Sequence, residues 1–123
     1  MKIIRNKIPM IAEQNGNRKG MTLKKFKSGN IDELEILFKM KIVEEAKEIF
    51  NTCNDIDLKY ELVDLIQVID EFLIMKGITD KEIETLVKSK LYTHGRFVTV
   101  KSYAGGSVMD ESEVYVLDLK GGT

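Results

Sequence analysis

The sequence is poor in the residues that build disulfides and zinc sites. Among its 123 residues are one cysteine, Cys53, one histidine, His94, one proline and no tryptophan. A lone cysteine cannot form an internal disulfide, so we expect a reduced thiol of the kind found in cytosolic proteins. A zinc site needs several Cys or His ligands. Any metal site in this chain must therefore be built from other side chains.

The sequence also lacks long apolar runs and an excess of charge of either sign. No apolar segment reaches membrane-spanning length, and the first residues, interrupted by Arg5, Lys7 and Pro9, contain no secretory hydrophobic core. We therefore expect a cytoplasmic protein with no membrane partner. The formal net charge is −1, and binding to a phosphate backbone requires clustered positive charge. Nucleic acid is thus not an expected partner.

Most of the chain has the spacing of amphipathic helices. The length and the 43% hydrophobic composition fit one soluble domain, and apolar residues recur at three- and four-residue steps through its middle. Between the first two predicted helices, residues 15–29 read as a basic loop. The predicted helices are Ile8–Gln14, a helix capped by Asn30 that ends near Asn51, one capped by Asp55 that runs to Lys76, and one capped by Thr79 with Glu82 that ends near Tyr92.

The pattern changes after Gly95. Residues 97–103 alternate between the two faces of an extended chain, and Val114–Leu119 is apolar and β-branched. With Gly105 and Gly106 between them, the two runs predict a short terminal β-hairpin. A loosely ordered tail is the alternative, and the body of the protein is helical in both cases.

Carboxylates are concentrated in the second and third predicted helices. Glu45 and Glu48 lie three residues apart and share one helix face, as do Glu61 and Asp64. In an antiparallel helix pair, Glu45 lies level with Asp64, and Glu48 with Glu61, when the turn is centred between residues 54 and 55. Helix capping independently predicts the turn at residues 52–55. The four carboxylates are therefore expected to converge.

Four converging negative charges repel one another unless a cation compensates them. An all-oxygen cluster selects a hard cation, so Mg²⁺, or Mn²⁺ in its place, fits better than Zn²⁺. A ferritin-like di-iron site is not expected, because it uses Glu-x-x-His pairs that this sequence lacks. The alternative is an ordinary solvated helix face, on which Lys41 and Lys47 pair with the glutamates.

The carboxylates carry a family resemblance. Glu44-Glu45-Ala46-Lys47-Glu48, followed after twelve residues by Glu61-Leu62-Val63-Asp64, resembles the EExxE…ExxD signature of the all-α nucleotide pyrophosphohydrolases. That superfamily includes MazG, the dimeric dUTPases, dCTP pyrophosphatases and phosphoribosyl-ATP pyrophosphohydrolase. The opening Lys2–Pro9 and the segment from Lys88-Ser89-Lys90 to Gly95-Arg96-Phe97 resemble a small MazG-related branch of phosphoribosyl-ATP pyrophosphohydrolase-like, house-cleaning enzymes.

The resemblance covers roughly residues 2–103 and is not complete. Asn6 stands where the branch usually has Asp, and His94 and Arg96 surround the position of the usual Gly-Gly. Residues 104–123 form a tail that the branch does not generally share. We accordingly predict a MazG-like nucleotide pyrophosphohydrolase domain over residues 1–103 and a separate C-terminal tail, with a β-strand, over residues 104–123.

The resemblance implies an all-α helical bundle that forms a homodimer or homotetramer. It implies a hydrolase that cleaves a nucleotide between its α and β phosphates and releases pyrophosphate. Its metal ligands would be Glu45, Glu48, Glu61 and Asp64, and Glu44 would orient or deprotonate the attacking water. Cations would bind the substrate phosphates. The candidates for that role are Arg5, Lys7, Lys88, Lys90 and Arg96.

Two other functions stay open at this point. One is the phosphoribosyl-ATP step of histidine biosynthesis, which belongs to the same superfamily. The other is a non-catalytic helical module that binds a nucleotide or a partner helix on the same scaffold. No motif in the sequence specifies which base or sugar is selected.

Overall fold

The computed structural model describes residues 1–119 and is mainly helical. Its elements are α1 (Ile8–Gln14), α2 (Asp32–Asn51), α3 (Asp55–Met75), α4 (Asp80–His94), β1 (Thr99–Gly105) and β2 (Val108–Glu113). The last four residues of the predicted tail, 120–123, lie outside the described residues. None of the described helices combines the length and the apolar character needed to cross a membrane.

The chain divides into two compact units. The first is Met1–Ile78, and the second begins at Thr79. The predicted boundary between residues 103 and 104 falls inside β1. That boundary marks where the family resemblance ends rather than where a compact body ends, so it stays a prediction.

The first unit is organised around an antiparallel hairpin of α2 and α3. The rings of Phe38 and Phe72 stack with their centroids 5.3 Å apart. Further from the turn, Lys76 donates to Glu35 and lowers the pKa of that carboxyl. Each of these contacts joins residues that are far apart along the chain, one on α2 and one at α3 or just after it. Together they hold the two helices side by side. The helical fold and the helix hairpin are as predicted.

The caps of the two hairpin helices differ from the prediction. Asn54, not Asp55, caps α3: its backbone is extended and its Oδ1 accepts a hydrogen bond from the Asp57 backbone N–H at 2.9 Å. Asp55 is instead the first helical residue, where its charge faces the positive end of the helix dipole. At α2 the residue before the helix is Ile31 and no side chain caps it, so the prediction of an Asn30 cap was wrong.

The second unit consists of α4 and a two-stranded antiparallel sheet. Thr79 caps α4 as predicted, its hydroxyl accepting from the Glu82 backbone N–H at 3.2 Å, and the helix continues to His94. The hairpin exists, but its second strand is Val108–Glu113 rather than 114–119. A two-residue turn at Gly106-Ser107 pairs Gly105 directly with Val108, so the residues nearest the turn form the ladder.

Little apolar surface is buried in the described part of the chain. The buried apolar residues among those described are Ala12 and Leu37, and Glu45 is as inaccessible as they are. On α2, Ile36, Met40 and Val43 are each about half exposed, although they follow helical spacing. The amphipathic pattern predicted the helices correctly, while the apolar face of α2 keeps much of its contact with solvent.

Asn54→Ala is expected to destabilise the protein by about 1 kcal/mol, the usual cost of losing an N-cap side chain. Asn30→Ala is the matched control, because no side-chain cap is present at α2. Chemical denaturation followed by circular dichroism measures both. Equal losses of stability in the two variants would contradict the cap assignment.

Candidate metal centre

Glu45 is the buried member of the acidic cluster. It lies on α2 and is only 5% exposed, whereas the other charged residues of the described chain are half-buried or exposed. Placing a carboxylate in this position costs free energy unless a partner compensates its charge. The position of Glu45 therefore requires an explanation in terms of its neighbours.

The structure brings the four predicted ligands together in two overlapping groups. Glu45, Glu61 and Asp64 each place a carboxylate oxygen within 4.8 Å of the others, and Glu44, Glu45 and Glu48 do the same. Glu61 also raises the pKa of Glu48. Glu45 is the member that both groups share, so it is the centre of the cluster.

Only one of the two carboxylate oxygens of Glu45 has a partner. Its Oε1 lies 3.4 Å from the Lys41 ammonium, one helical turn away. Its Oε2 is buried and has no hydrogen-bond partner, and the same is true of Oε2 of Glu61. Two buried carboxylate oxygens thus lack donors on facing helices. This is the environment that a bound cation would complete.

The electrostatics of the cluster show the cost of the arrangement. Burial, followed by the charge of Glu48, raises the pKa of Glu45. A hydrogen bond to Glu61, followed by burial and the charge of Glu61, raises the pKa of Glu48. Both carboxyls therefore hold protons more tightly than isolated glutamates do. A cation at the cluster would reverse this effect, because it favours the ionised forms.

Glu44 has a different environment from its neighbours. Lys2 donates to its Oε1 at 3.1 Å, and Lys41 approaches its Oε2 at 3.4 Å. The hydrogen bond from Lys2 is the main reason that the pKa of Glu44 is lowered. Glu44 is thus ionised and paired without a metal. The predicted pairing of Lys41 with the glutamates is present, but it does not extend to the buried oxygen of Glu45.

Arg5 reaches the cluster from the N-terminal segment. Its Nη2 donates to Oδ1 of Asp64 at 2.6 Å, and its Nη1 donates to Oε1 of Gln67 at 2.6 Å. Arg5 was predicted to bind phosphate, and Gln67 was not among the predicted site residues. The sequence could have indicated Gln67, because it lies three residues after Asp64 and therefore shares its helix face.

The other predicted phosphate-binding residues, Lys7, Lys88, Lys90 and Arg96, have different surroundings from Arg5. Lys7 is exposed at the start of α1. Lys88, Lys90 and Arg96 belong to the second unit, where Lys88 pairs with Glu84 at 3.0 Å. Lys90 and Arg96 line a mainly apolar cavity of about 460 Å³ beside α4. Phosphate binding by these four residues stays a prediction.

The donor set fits a hard divalent cation. Its ligand atoms are carboxylate oxygens only, and it contains no sulfur or imidazole nitrogen. Such a set suits Mg²⁺, Mn²⁺ or Ca²⁺ better than a soft metal. The two unpartnered buried oxygens are an observation independent of the acidic composition, and they point to the same kind of ligand.

Comparison with known proteins adds no relative. No protein-family model matches the chain, and neither the search of curated proteins nor the search of solved structures found a match. The resemblance to the all-α nucleotide pyrophosphohydrolases therefore stays a prediction from the motifs.

The raised pKa values of Glu45 and Glu48 predict how the metal-free protein responds to pH. A carboxyl with a raised pKa in the folded state stabilises the fold at pH values below the unfolded pKa, and this contribution is lost as pH rises through the folded value. Glu48→Gln should therefore raise the melting temperature of the metal-free protein at neutral pH and leave it nearly unchanged near about pH 4.

The matched control is Glu71→Gln, an exposed glutamate on α3, which should have little effect at either pH. Thermal melts in the presence of a chelator measure all three proteins. A Glu48→Gln variant that melts below the wild type at neutral pH would show that the cluster does not strain the metal-free fold.

Proposed function

We propose that the chain is a Mg²⁺-dependent nucleotide pyrophosphohydrolase of the MazG-like type, with Mn²⁺ able to replace Mg²⁺. The observation that carries the proposal is the unpartnered Oε2 of Glu45, a 5%-exposed carboxylate at the centre of four acidic groups on one helix hairpin. The motifs supply the reaction, because they resemble a superfamily that uses such carboxylates to hydrolyse nucleotides.

The residues that would hold the metal are Glu45, Glu48, Glu61 and Asp64. They supply oxygen ligands from two facing helices, and their shared charge gives the site its preference for a divalent cation. When bound, the metal would neutralise charge on the phosphates and lower the pKa of water.

The reaction cleaves the bond between the α-phosphorus and the oxygen that bridges it to the β-phosphorus. Water adds to the α-phosphorus, its proton leaves to a base, and pyrophosphate departs with the bridging oxygen, leaving a nucleoside monophosphate. Glu44 is the proposed base or water-orienting group, since its carboxyl adjoins Glu45 and Glu48.

Cations of the chain would bind the polyphosphate, because positive charge stabilises the transferred and leaving phosphates. Lys7 is a candidate for this role in the first unit. For Arg5, and for Lys88, Lys90 and Arg96 of the second unit, phosphate binding stays a prediction from the family resemblance. We assign no base or sugar preference, and the substrate panel below includes phosphoribosyl-ATP beside common and damaged nucleoside triphosphates.

Turnover is tested by pyrophosphate release from that panel with and without Mg²⁺. Glu48→Gln and Asp64→Asn should each lower kcat by roughly 100-fold or more, the size expected when one electrostatic element of an active site is lost. Both variants should stay folded, because each removes one of several mutually repelling charges.

Asp70→Asn is the matched control: it removes an exposed carboxylate from the same helix as Asp64 and should keep full activity. Full activity in the Glu48 or Asp64 variant would refute the site. Absence of turnover on every nucleotide, with Mg²⁺ binding retained, would favour the non-catalytic nucleotide-binding module.

We also propose that the protein is a homo-oligomer whose copies cover the apolar stripe of α2. Ile36, Met40 and Val43 are 49–56% exposed and line a groove of about 590 Å³. Apolar surface left in water contributes nothing to stability, so covering this stripe would stabilise the protein. A second copy supplies an apolar surface of the same kind.

Met40→Glu should therefore shift the protein from an oligomer to a monomer in light scattering coupled to size-exclusion chromatography. Lys59→Glu, which places the same charge at an exposed polar position of α3, should leave the oligomer intact. A wild-type protein that is monomeric at micromolar concentration would contradict the proposal.

A further inference from the structure

Arg5 joins the N-terminal segment to α3 at the Asp64 end of the acidic cluster. The guanidinium spans two side chains of α3 that lie three residues apart, with Nη2 on Oδ1 of Asp64 and Nη1 on Oε1 of Gln67, both at 2.6 Å. A planar guanidinium that donates through two nitrogens fixes the orientation of both acceptors. Lysine, a single rotatable charge, cannot reproduce this arrangement.

The Arg5–Asp64 ion pair contributes little to the stability of the fold. The Arg5 side chain is 51% exposed and that of Asp64 is 36% exposed, and ion pairs this open to water stabilise a protein only weakly. Gln67 carries no charge, so its contact with Arg5 adds no charge compensation. The main effect of the contacts is on orientation: the hydrogen bond from Arg5 to Oδ1 holds the Asp64 carboxylate in one position.

We propose that Arg5 is a positioning residue that orients the Asp64 carboxylate toward the shared cluster and is itself anchored by Gln67. The inference rests on the metal site of the proposed function. Carboxylates that bind metals are commonly held by hydrogen bonds from outside the ligand set, and removing such a bond lowers metal affinity by about 10–100-fold. In this role Arg5 would act through Asp64 rather than by contact with the metal or the substrate.

The charge of Arg5 and its proposed positioning role predict opposite changes in Mn²⁺ affinity when Arg5 is replaced. Arg5→Ala removes a positive charge beside a cation site, and electrostatics alone would then tighten Mn²⁺ binding. Loss of positioning would weaken it. The direction of the change in affinity therefore separates the two effects.

The experiment measures Mn²⁺ binding to the full-length protein by isothermal titration calorimetry, with thermal melts of each variant. Arg5→Ala should raise the dissociation constant by about 10-fold or more. Gln67→Ala, which leaves Arg5 in place but removes its anchor, should give a smaller increase in the same direction. Arg5→Lys should recover only part of the affinity.

Arg18→Ala is the matched control, because it removes an arginine that forms an exposed ion pair with Glu13 elsewhere in the same unit. Its Mn²⁺ affinity should equal that of the wild type or exceed it slightly. An equal loss of affinity in this control would overturn the inference, as would unchanged or tighter binding in Arg5→Ala. A wild type that binds no Mn²⁺ would overturn the metal site itself, which distinguishes the two failures.

Kinetics give a second measurement. If Arg5 positions a ligand, saturating Mn²⁺ should restore the activity of Arg5→Ala with the wild-type KM for nucleotide. A KM that stays raised at saturating Mn²⁺ would assign Arg5 to phosphate binding and overturn the positioning role.

Discussion

Repulsion among the carboxylates of one helix hairpin is the constraint on which the rest of the site depends. Four acidic side chains converge on Glu45, and burial and neighbouring charge raise the pKa values of Glu45 and Glu48. A fold without a use for this arrangement would gain stability by replacing the buried glutamate with an apolar residue. The arrangement therefore indicates a function that requires negative charge at this position.

The cations around the cluster divide the carboxylates into two kinds. Lys2 and Lys41 pair with Glu44, and Arg5 holds one oxygen of Asp64. These contacts compensate the edges of the cluster and leave Oε2 of Glu45 and of Glu61 without donors. The cluster thus has paired residues at its edge and unpartnered oxygens inside, an arrangement that the proposed cation would complete.

The sequence predicted the helices and the convergence of the carboxylates because both follow from local periodicity. Residues three apart share a helix face, so the sequence alone places Glu45 on the same face as Glu48, and Glu61 on the same face as Asp64.

The cap at Asn54 was missed by one residue, since Asn and Asp both suit that position. The contacts of Arg5 could not be predicted, because they join residues 59 and 62 positions apart. Between them lie α1, α2 and a connecting loop whose path no local rule determines. The second strand was misplaced because β-propensity favoured 114–119, whereas the tight turn at Gly106 selected the adjacent, more polar residues.

The same features explain why this hairpin would depend on what it binds. Its apolar stripe on α2 is half exposed, so the hydrophobic contribution to its stability is small, while its acidic face adds repulsion. A cation between α2 and α3 would convert that repulsion into attraction, and any ligand that binds only the folded state stabilises it. Metal binding and folding would then be thermodynamically linked through Glu45. If the proposed cation binds, the site would gain affinity for it at the expense of the metal-free fold, and this trade would explain why Glu45 is buried in a unit with few buried apolar side chains.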